Sequence, residues 1–186
     1  MTVFTPRRAG RVLLVDATGR VLLFTGFDPA RPGHRYWFTP GGGLDPGETP
    51  ADGAARELAE ETGLRMTPGE LGEPVWSETV EFPFDGVWYR QEQHFFLVRV
   101  STWEVDTAGF GAIERATVTG HRWWPVTELS TCGELCYPQE LPTLLTRLLA
   151  GTDPSAGPAG SDSCVGPAGT DPSAGPAGTP GAGARC

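Results

Sequence analysis

The sequence predicts an α/β fold in which a mixed β-sheet is sandwiched between helices, followed by a disordered C-terminal tail. Along residues 1–150, β-rich runs alternate with two helical patterns, as this fold class requires. The 186 residues, 39% hydrophobic and 20% charged, suit one globular domain. GTDPSAGPAG then occurs at 151–160 and again at 169–178. We expect a low-complexity, disordered tail over 151–186, because so few apolar side chains cannot offset an ordering entropy of about 1–2 kcal/mol per residue.

The predicted strands are β-rich runs bounded by turn-forming residues. Arg11–Val15 and Val21–Phe24 flank the turn cluster Asp16–Gly19, which predicts a hairpin. Tyr36–Thr39 is predicted to be a short buried strand that enters a glycine cluster. The later strands are predicted at Pro74–Phe82, Val87–Val100 and Gly120–Trp124.

Two helices complete the predicted fold. Thr49 offers an N-cap hydroxyl, Pro50 suits the first helical position, and the Asp52 carboxylate favours the positive end of the helix dipole. Gly63 supplies the left-handed cap that ends this helix. A second helix is predicted over Pro138–Leu149, where leucines recur at helical spacing.

Charge and hydropathy exclude several classes of function. Asp and Glu number 23 against 14 Lys and Arg, so the formal net charge is −9 and the surface repels the phosphates of duplex nucleic acid. No apolar run approaches the ~18 residues of a membrane span. The apolar stretch near the N-terminus is shorter than the ~7–15-residue core of a secretory signal. We expect a cytoplasmic protein with neither a membrane nor a nucleic acid duplex as partner.

Three carboxylates gather on one face of the first predicted helix. Glu57, Glu60 and Glu61 stand at i, i+3 and i+4, where like charges destabilise a helix by roughly 0.2–0.5 kcal/mol per pair. A cation between them would remove this cost. A solvated acidic face remains the alternative interpretation of the cluster by itself.

A run of three glycines precedes the helix and favours the first interpretation. Gly41, Gly42 and Gly43 allow positive φ and let backbone N–H groups approach an anion closely, so we predict a substrate-binding role for them. Carboxylates would repel a phosphate unless divalent cations lie between the two. Oxygen-only ligands indicate Mg²⁺ or Mn²⁺, which would polarise phosphoryl oxygens and activate a water.

These residues form a segment that resembles a known signature. Gly42 to Leu64, GGLDPGETPADGAARELAEETGL, is similar at every defined position to the 23-residue signature of the Nudix hydrolases. Chance matches of this quality are expected on the order of once in 10⁹ starting positions, at residue frequencies of about 7%. The resemblance implies a Nudix-type α/β/α sandwich over residues 1–150.

The resemblance also implies an activity and a set of roles. The activity is hydrolysis of a pyrophosphate bond in a nucleoside diphosphate linked to another moiety, with Mg²⁺ or Mn²⁺ as cofactor. Glu57, Glu60 and Glu61 would be the catalytic metal ligands, and Glu48 with Arg56 a supporting ion pair. A small-molecule nucleotide is the expected substrate. Its identity, the general base and a homodimer stay open.

Two other activities compete with hydrolysis. A non-catalytic sensor could use the Nudix fold to bind a nucleotide metabolite, but a pure sensor needs no complete carboxylate set. An isomerase acting on isopentenyl diphosphate would require a well-placed catalytic Cys and is disfavoured by the intact signature. We therefore favour metal-assisted attack of water on phosphorus.

The resemblance also implies one further acidic residue outside the signature, as metal ligand or base. The segment Arg90–Gln93 is wholly polar, whereas the next four residues are apolar on both faces, so the polar half should border a cleft. Glu92 is the only carboxylate of that half. We predict Glu92 for this role in preference to Glu78, Glu81 and Glu114.

Overall fold

The computed structural model describes residues 2–131, 133–150 and 164–165. The strands are β1 Thr5–Asp16, β2 Arg20–Asp28, β3 Arg31–Phe38, β4 Gly41–Gly43, β5 Trp76–Phe84, β6 Val87–Val100, β7 Val118–Pro125, β8 Cys136–Tyr137 and β9 Cys164–Val165. The helices are α1 Pro50–Thr62, α2 Pro68–Leu71, α3 Ala112–Thr117, α4 Val126–Leu129 and α5 Leu141–Leu149.

The strands form one mixed sheet in the order β8-β3-β2-β1-β6-β5-β9, with β4 paired to β1 and β7 paired to β2. β1 runs parallel to β6 from the pair Thr5 and Tyr89 to the pair Asp16 and Val100. β5 and β6 form an antiparallel hairpin. β1 therefore lies between the glycine strand β4 and the polar part of β6, which brings those two segments to one region of the sheet.

Each face of the sheet carries its own hydrophobic core. On one face, Leu13 of β1 and Phe95 of β6 pack with the leucines of α5. On the other face, Val12 and Phe96 pack with Ala54 and Leu58 of α1. Successive residues of a strand alternate between the faces, so β1 and β6 supply both cores. The predicted sandwich of a mixed sheet between helices is confirmed.

The ends of α1 follow the capping chemistry predicted from the sequence. The Thr49 hydroxyl accepts from the Asp52 backbone N–H (3.2 Å), and the Asp52 carboxylate accepts from the Thr49 backbone N–H (2.9 Å). Gly63 adopts φ 74° and ends the helix. Both ends are thus fixed locally, and the carboxylates of α1 are held in a defined rotation about its axis.

Other elements differ from the prediction in length or number. β3 begins at Arg31 rather than at the predicted Tyr36. Its first residues pair with β2 but have low hydrophobicity, so the sequence pattern does not reveal them. The short helices α2, α3 and α4 were not predicted, since four to six residues are too few for a helical pattern. Within the described ranges, no helix has the length and apolar character needed to cross a membrane.

The predicted tail is described only at β9. Cys164 and Val165 pair in parallel with Val80 and Glu81 of β5. The expectation of disorder for the remainder concerns residues 151–163 and 166–186, which lie outside the described residues.

Candidate active site

The glycine strand β4 is fixed between β1 and α1. Gly41 has φ 121°, a conformation that side chains rarely adopt, and its carbonyl accepts from the Arg11 guanidinium (2.7 Å). A Cβ at Gly42 would overlap the Glu57 carboxylate. A side chain at Gly42 would therefore have to displace the Glu57 carboxylate.

Glu61 links α1 to this strand. Its carboxylate accepts from the Gly41 backbone N–H (2.7 Å), and only 4% of the residue is exposed. Burial, followed by repulsion from Glu57, raises the pKa of Glu61 to about 8. The Gly41 N–H is thus directed to a protein carboxylate, whereas the sequence analysis had predicted that the glycine N–H groups would face a phosphate.

Arg56 joins the loop after β4 to the acidic face of α1. Its guanidinium makes two bonds to Glu48 (2.8 and 3.0 Å) and also donates to the Gly43 carbonyl (3.0 Å). It reaches Glu57 (2.9 Å) and the half-exposed Glu60 (3.2 Å) as well. The Glu48 bond raises the pKa of Arg56 and lowers that of Glu48. The structure thus contains the Glu48–Arg56 ion pair that the signature implies.

A cleft of about 540 Å³ opens beside this junction. Two arginines of β1, Arg7 and Arg11, line it, and the Arg7 guanidinium lies beside Gly43. Its acidic lining residues are Asp28, Glu57, Glu61, Glu78, Glu81, Glu114 and Glu140. Its aromatic lining residues are Phe27, Tyr36, Phe38, Phe82, Phe84, Tyr89 and Tyr137. Cations, carboxylates and aromatic rings in one cleft suit a ligand that carries both phosphates and a base.

A hydrogen-bonded chain crosses the β5–β6 part of the cleft. Gln91 Nε2 donates to Gln93 Oε1 (2.9 Å), and Gln93 Nε2 donates to Glu78 Oε1 (2.6 Å). Burial raises the pKa of Glu78 to about 7, with a further contribution from Glu140 and opposition from Gln93 and Arg11.

Glu92 lies on the other face of β6. Its side chain is 53% exposed and contacts His94 (3.2 Å), and it is absent from the cleft lining, which includes Gln91 and Gln93. The polar half of β6 does border a cleft, as predicted, but strand alternation turns Glu92 away from it. The three alternatives to Glu92, namely Glu78, Glu81 and Glu114, all line the cleft, and Glu78 is the one that Gln93 holds there. The geometry does not support the choice of Glu92.

The aromatic residues that follow the signature divide between core and cleft. Phe82, Phe84 and Tyr89 line the cleft, whereas Trp76 packs on Phe95 at 5.1 Å between ring centroids. Trp88 contacts the Phe4 ring at 5.9 Å.

The carboxylates of this site have the chemistry that a divalent cation needs, although they do not converge on one position. Among the described residues, no three Asp, Glu, His or Cys side chains converge on one metal position. The reason is that Glu57 and Glu60 bind Arg56, while Glu61 binds Gly41. The donor set still fits, because it consists of oxygens and because burial raises the pKa of both Glu57 and Glu61, a penalty that a cation relieves. Glu57 and Glu60 each bind Arg56 through one carboxylate oxygen, which leaves the other oxygen of each to bind a cation.

A glycine strand held against a helix with three carboxylates, inside a mixed sheet between helices, is the arrangement of the Nudix hydrolase class. The chain belongs to the NUDIX family: the family model described as the NUDIX domain matches residues 5–144. Among solved structures, the MutT protein from Methanosarcina mazei Go1 is similar in fold, with a TM-score of 0.57 and 19% identity. The match covers 81% of this chain and 98% of that one.

Two curated relatives are RNA pyrophosphohydrolases. That of Erythrobacter litoralis (strain HTCC2594) is 35% identical over 108 residues, which cover 54% of this chain and 65% of the relative. That of Rhodopseudomonas palustris (strain BisB18) is 31% identical over 136 residues, which cover 68% of each chain. The chain thus spans about two thirds of the length of these two relatives.

Five cleft residues were missed by the sequence analysis or passed over: Arg7, Arg11, Glu78, Gln91 and Gln93. For the arginines a signal existed, since residues four apart on one strand share a face. Gln91 and Gln93 could have been assigned to the same face of β6 as Phe95, which is buried in one core. The adjacent Phe96 is equally apolar and is buried in the other core, so the sequence does not show which face borders the cleft.

Proposed function

We propose that this protein is a divalent-metal-dependent pyrophosphohydrolase that cleaves a nucleoside diphosphate linked to another moiety by attack of water on phosphorus. The proposal rests on the junction of β4 and α1. There Gly42 lies against Glu57, and Glu61 is buried beside Gly41 where both line the cleft. Family membership supports the same activity.

Each group at the junction has a defined task in this proposal. Glu57, Glu60 and Glu61 would hold Mg²⁺ or Mn²⁺, which when bound polarises phosphoryl oxygens and lowers the pKa of a coordinated water. Arg56 holds Glu57 and Glu60 in position, and Glu48 holds Arg56. The phosphates approach Gly42 and Gly43, and the Arg7 guanidinium beside Gly43 balances their charge.

Glu78 replaces Glu92 as the further carboxylate proposed for this site. It lies within the cleft, is partly buried and is held by Gln93. A carboxyl group with a pKa of about 7 suits proton transfer near neutral pH. In this proposal, the group that accepts a proton from the attacking water is either Glu78 or one of the α1 carboxylates.

A small nucleotide is the substrate we propose. The cleft of about 540 Å³ accommodates one nucleotide-sized ligand, and the net charge of −9 opposes a long polyanion. The names of the two relatives make RNA the competing substrate.

The test is product release from a substrate panel with and without Mg²⁺ or Mn²⁺. The panel contains nucleoside triphosphates, ADP-ribose, diadenosine polyphosphates and 5′-triphosphate RNA. We expect metal-dependent pyrophosphate cleavage of at least one small nucleotide, with Glu57→Gln as the inactive reference. Tight nucleotide binding without cleavage of any substrate would support a sensor and overturn the proposal.

A further inference from the structure

Gln91 has an oxygen whose hydrogen-bond partner is missing. The residue is 1% exposed and lines the cleft. Its Nε2 donates to Gln93, but its buried Oε1 has no partner among the described residues. Buried polar atoms are nearly always hydrogen-bonded, so this acceptor calls for an explanation.

While Glu78 is ionised, hydrogen-bond chemistry fixes the orientation of the Gln91 amide. An ionised Glu78 carboxylate can only accept, so Gln93 must turn its NH₂ group toward Glu78 and its oxygen toward Gln91. Gln91 must then donate to Gln93. The atom left over is therefore an acceptor, and an amide flip would break the chain.

An aromatic surface lies next to this acceptor. Tyr89, two residues before Gln91 on the same face of β6, pairs across the strands with Phe82, with ring centroids 5.8 Å apart and an angle of 31°. The Arg7 guanidinium lies 5.7 Å from the centre of the Tyr89 ring. Residues two apart on a strand are separated by about 6.8 Å. A base stacked on this pair would present its edge to Gln91.

Resting on the proposed function, we propose that Gln91 determines base specificity by accepting a hydrogen bond from an amino group of the substrate nucleobase. The oxygen is covered in the free protein, so the base must displace a neighbouring cleft side chain to reach it. Gln93 and Glu78 are positioning residues in this proposal, because they set which end of the Gln91 amide is offered.

The test compares ligands that differ by one amino group. GMP is compared with IMP, and AMP with the monophosphate of purine riboside, by calorimetric titration in the presence of Mg²⁺. None of these has an anhydride bond, so binding is measured apart from hydrolysis. We expect the amino-bearing ligand to bind at least about fivefold more tightly in one pair or both, the factor of a single hydrogen bond.

Two variants test the residues. Gln91→Leu should bind both members of each pair equally. Gln93→Leu should reduce the affinity ratio within each pair, because the Gln91 amide is then free to turn. Thr79→Val, a polar-to-apolar change at an exposed position of β5, should keep the wild-type ratio. Melting curves show whether each variant folds. If Gln91→Leu does not fold, the affinity ratios of Gln93→Leu test the role of Gln91.

Three outcomes would overturn the inference. These are equal affinities within both pairs for the wild type, an unchanged preference in Gln91→Leu, and no measurable binding of any of the four ligands. If the protein hydrolyses nucleotides but binds both members of each pair equally, the inference about Gln91 is wrong and the proposed function stands. If binding depends on the amino group but no nucleotide is hydrolysed, the proposed function is wrong and the inference about Gln91 stands.

Discussion

The backbone N–H of Gly41 donates a 2.7 Å hydrogen bond to the carboxylate of Glu61, twenty residues further along the chain. This bond joins the glycine strand to the end of α1 in a buried environment. It uses a glycine N–H for the architecture of the site and leaves Glu61 as a buried acid with a strongly raised pKa. The chemical role and the structural role of Glu61 can therefore be separated by mutation.

Glu61→Gln should fold normally and lose at least about 100-fold in kcat/KM with Mg²⁺. The amide oxygen of Gln can still accept from Gly41, and the substitution removes a buried acid whose ionised form repels Glu57. Activity assays and melting curves measure the two effects. Glu73→Gln, at an exposed position after α2, is the matched control. Near wild-type turnover of Glu61→Gln at saturating Mg²⁺ would exclude Glu61 as a ligand.

Arg56→Lys should be destabilised by about 1–2 kcal/mol and should lose activity. An ammonium group cannot reproduce the planar fork that binds both Glu48 oxygens while also reaching Glu57 and the Gly43 carbonyl. Urea unfolding measures the stability.

A double-mutant cycle with Glu48→Gln tests whether the pair acts as a unit. Coupling below about 0.5 kcal/mol would mean that the ion pair does not support the site.

Structure can be predicted accurately from this sequence where its cause is local. The bounds of α1 follow from Thr49, Pro50 and Gly63, which act within one turn of each helix end. The parallel pairing of β1 with β6 could not be predicted, because it joins segments about 80 residues apart through contacts that leave no local pattern.

The choice of Glu92 from the sequence has a specific cause. The face of a strand is assigned from alternation of polar and apolar residues, but Arg90–Gln93 is polar throughout and Phe95 and Phe96 are both buried. Neither the polar residues nor the two buried phenylalanines therefore show which residues of the segment face the cleft. Glu78 was passed over for a related reason, since its burial comes from packing around the cleft rather than from neighbours in the sequence.

Glu92→Gln should retain wild-type kcat/KM, whereas Glu78→Gln should lower it by about tenfold or more. Glu92 is exposed on the face of β6 opposite Gln91, and Glu78 lies in the cleft. Rates of the two variants across pH 5–9, compared with wild type, measure the difference. If Glu92→Gln lost activity while Glu78→Gln did not, the original choice of Glu92 would be restored.

Glu78 should also make the stability of the protein depend on pH. Burial raises its folded-state pKa to about 7 from the ordinary 4.5, so the folded state binds this proton more tightly than the unfolded state. Its contribution to the free energy of unfolding is fully present below about pH 4.5 and is lost as pH rises to about 7. The charged groups facing it are Arg11, which favours ionisation, and Glu140, which opposes it.

Glu78→Gln should remove this dependence, because an amide does not titrate. The free energy of unfolding of Glu78→Gln, relative to wild type, should rise between pH 4.5 and 7 by on the order of 1–2 kcal/mol, a value reduced for partial solvation of the carboxylate. Urea unfolding of both metal-free proteins at four or five pH values measures it. A stability difference that stays constant over this range would show that Glu78 titrates at its ordinary pKa in the folded protein, and a difference that falls would mean that the carboxylate is stabilised by its surroundings rather than penalised.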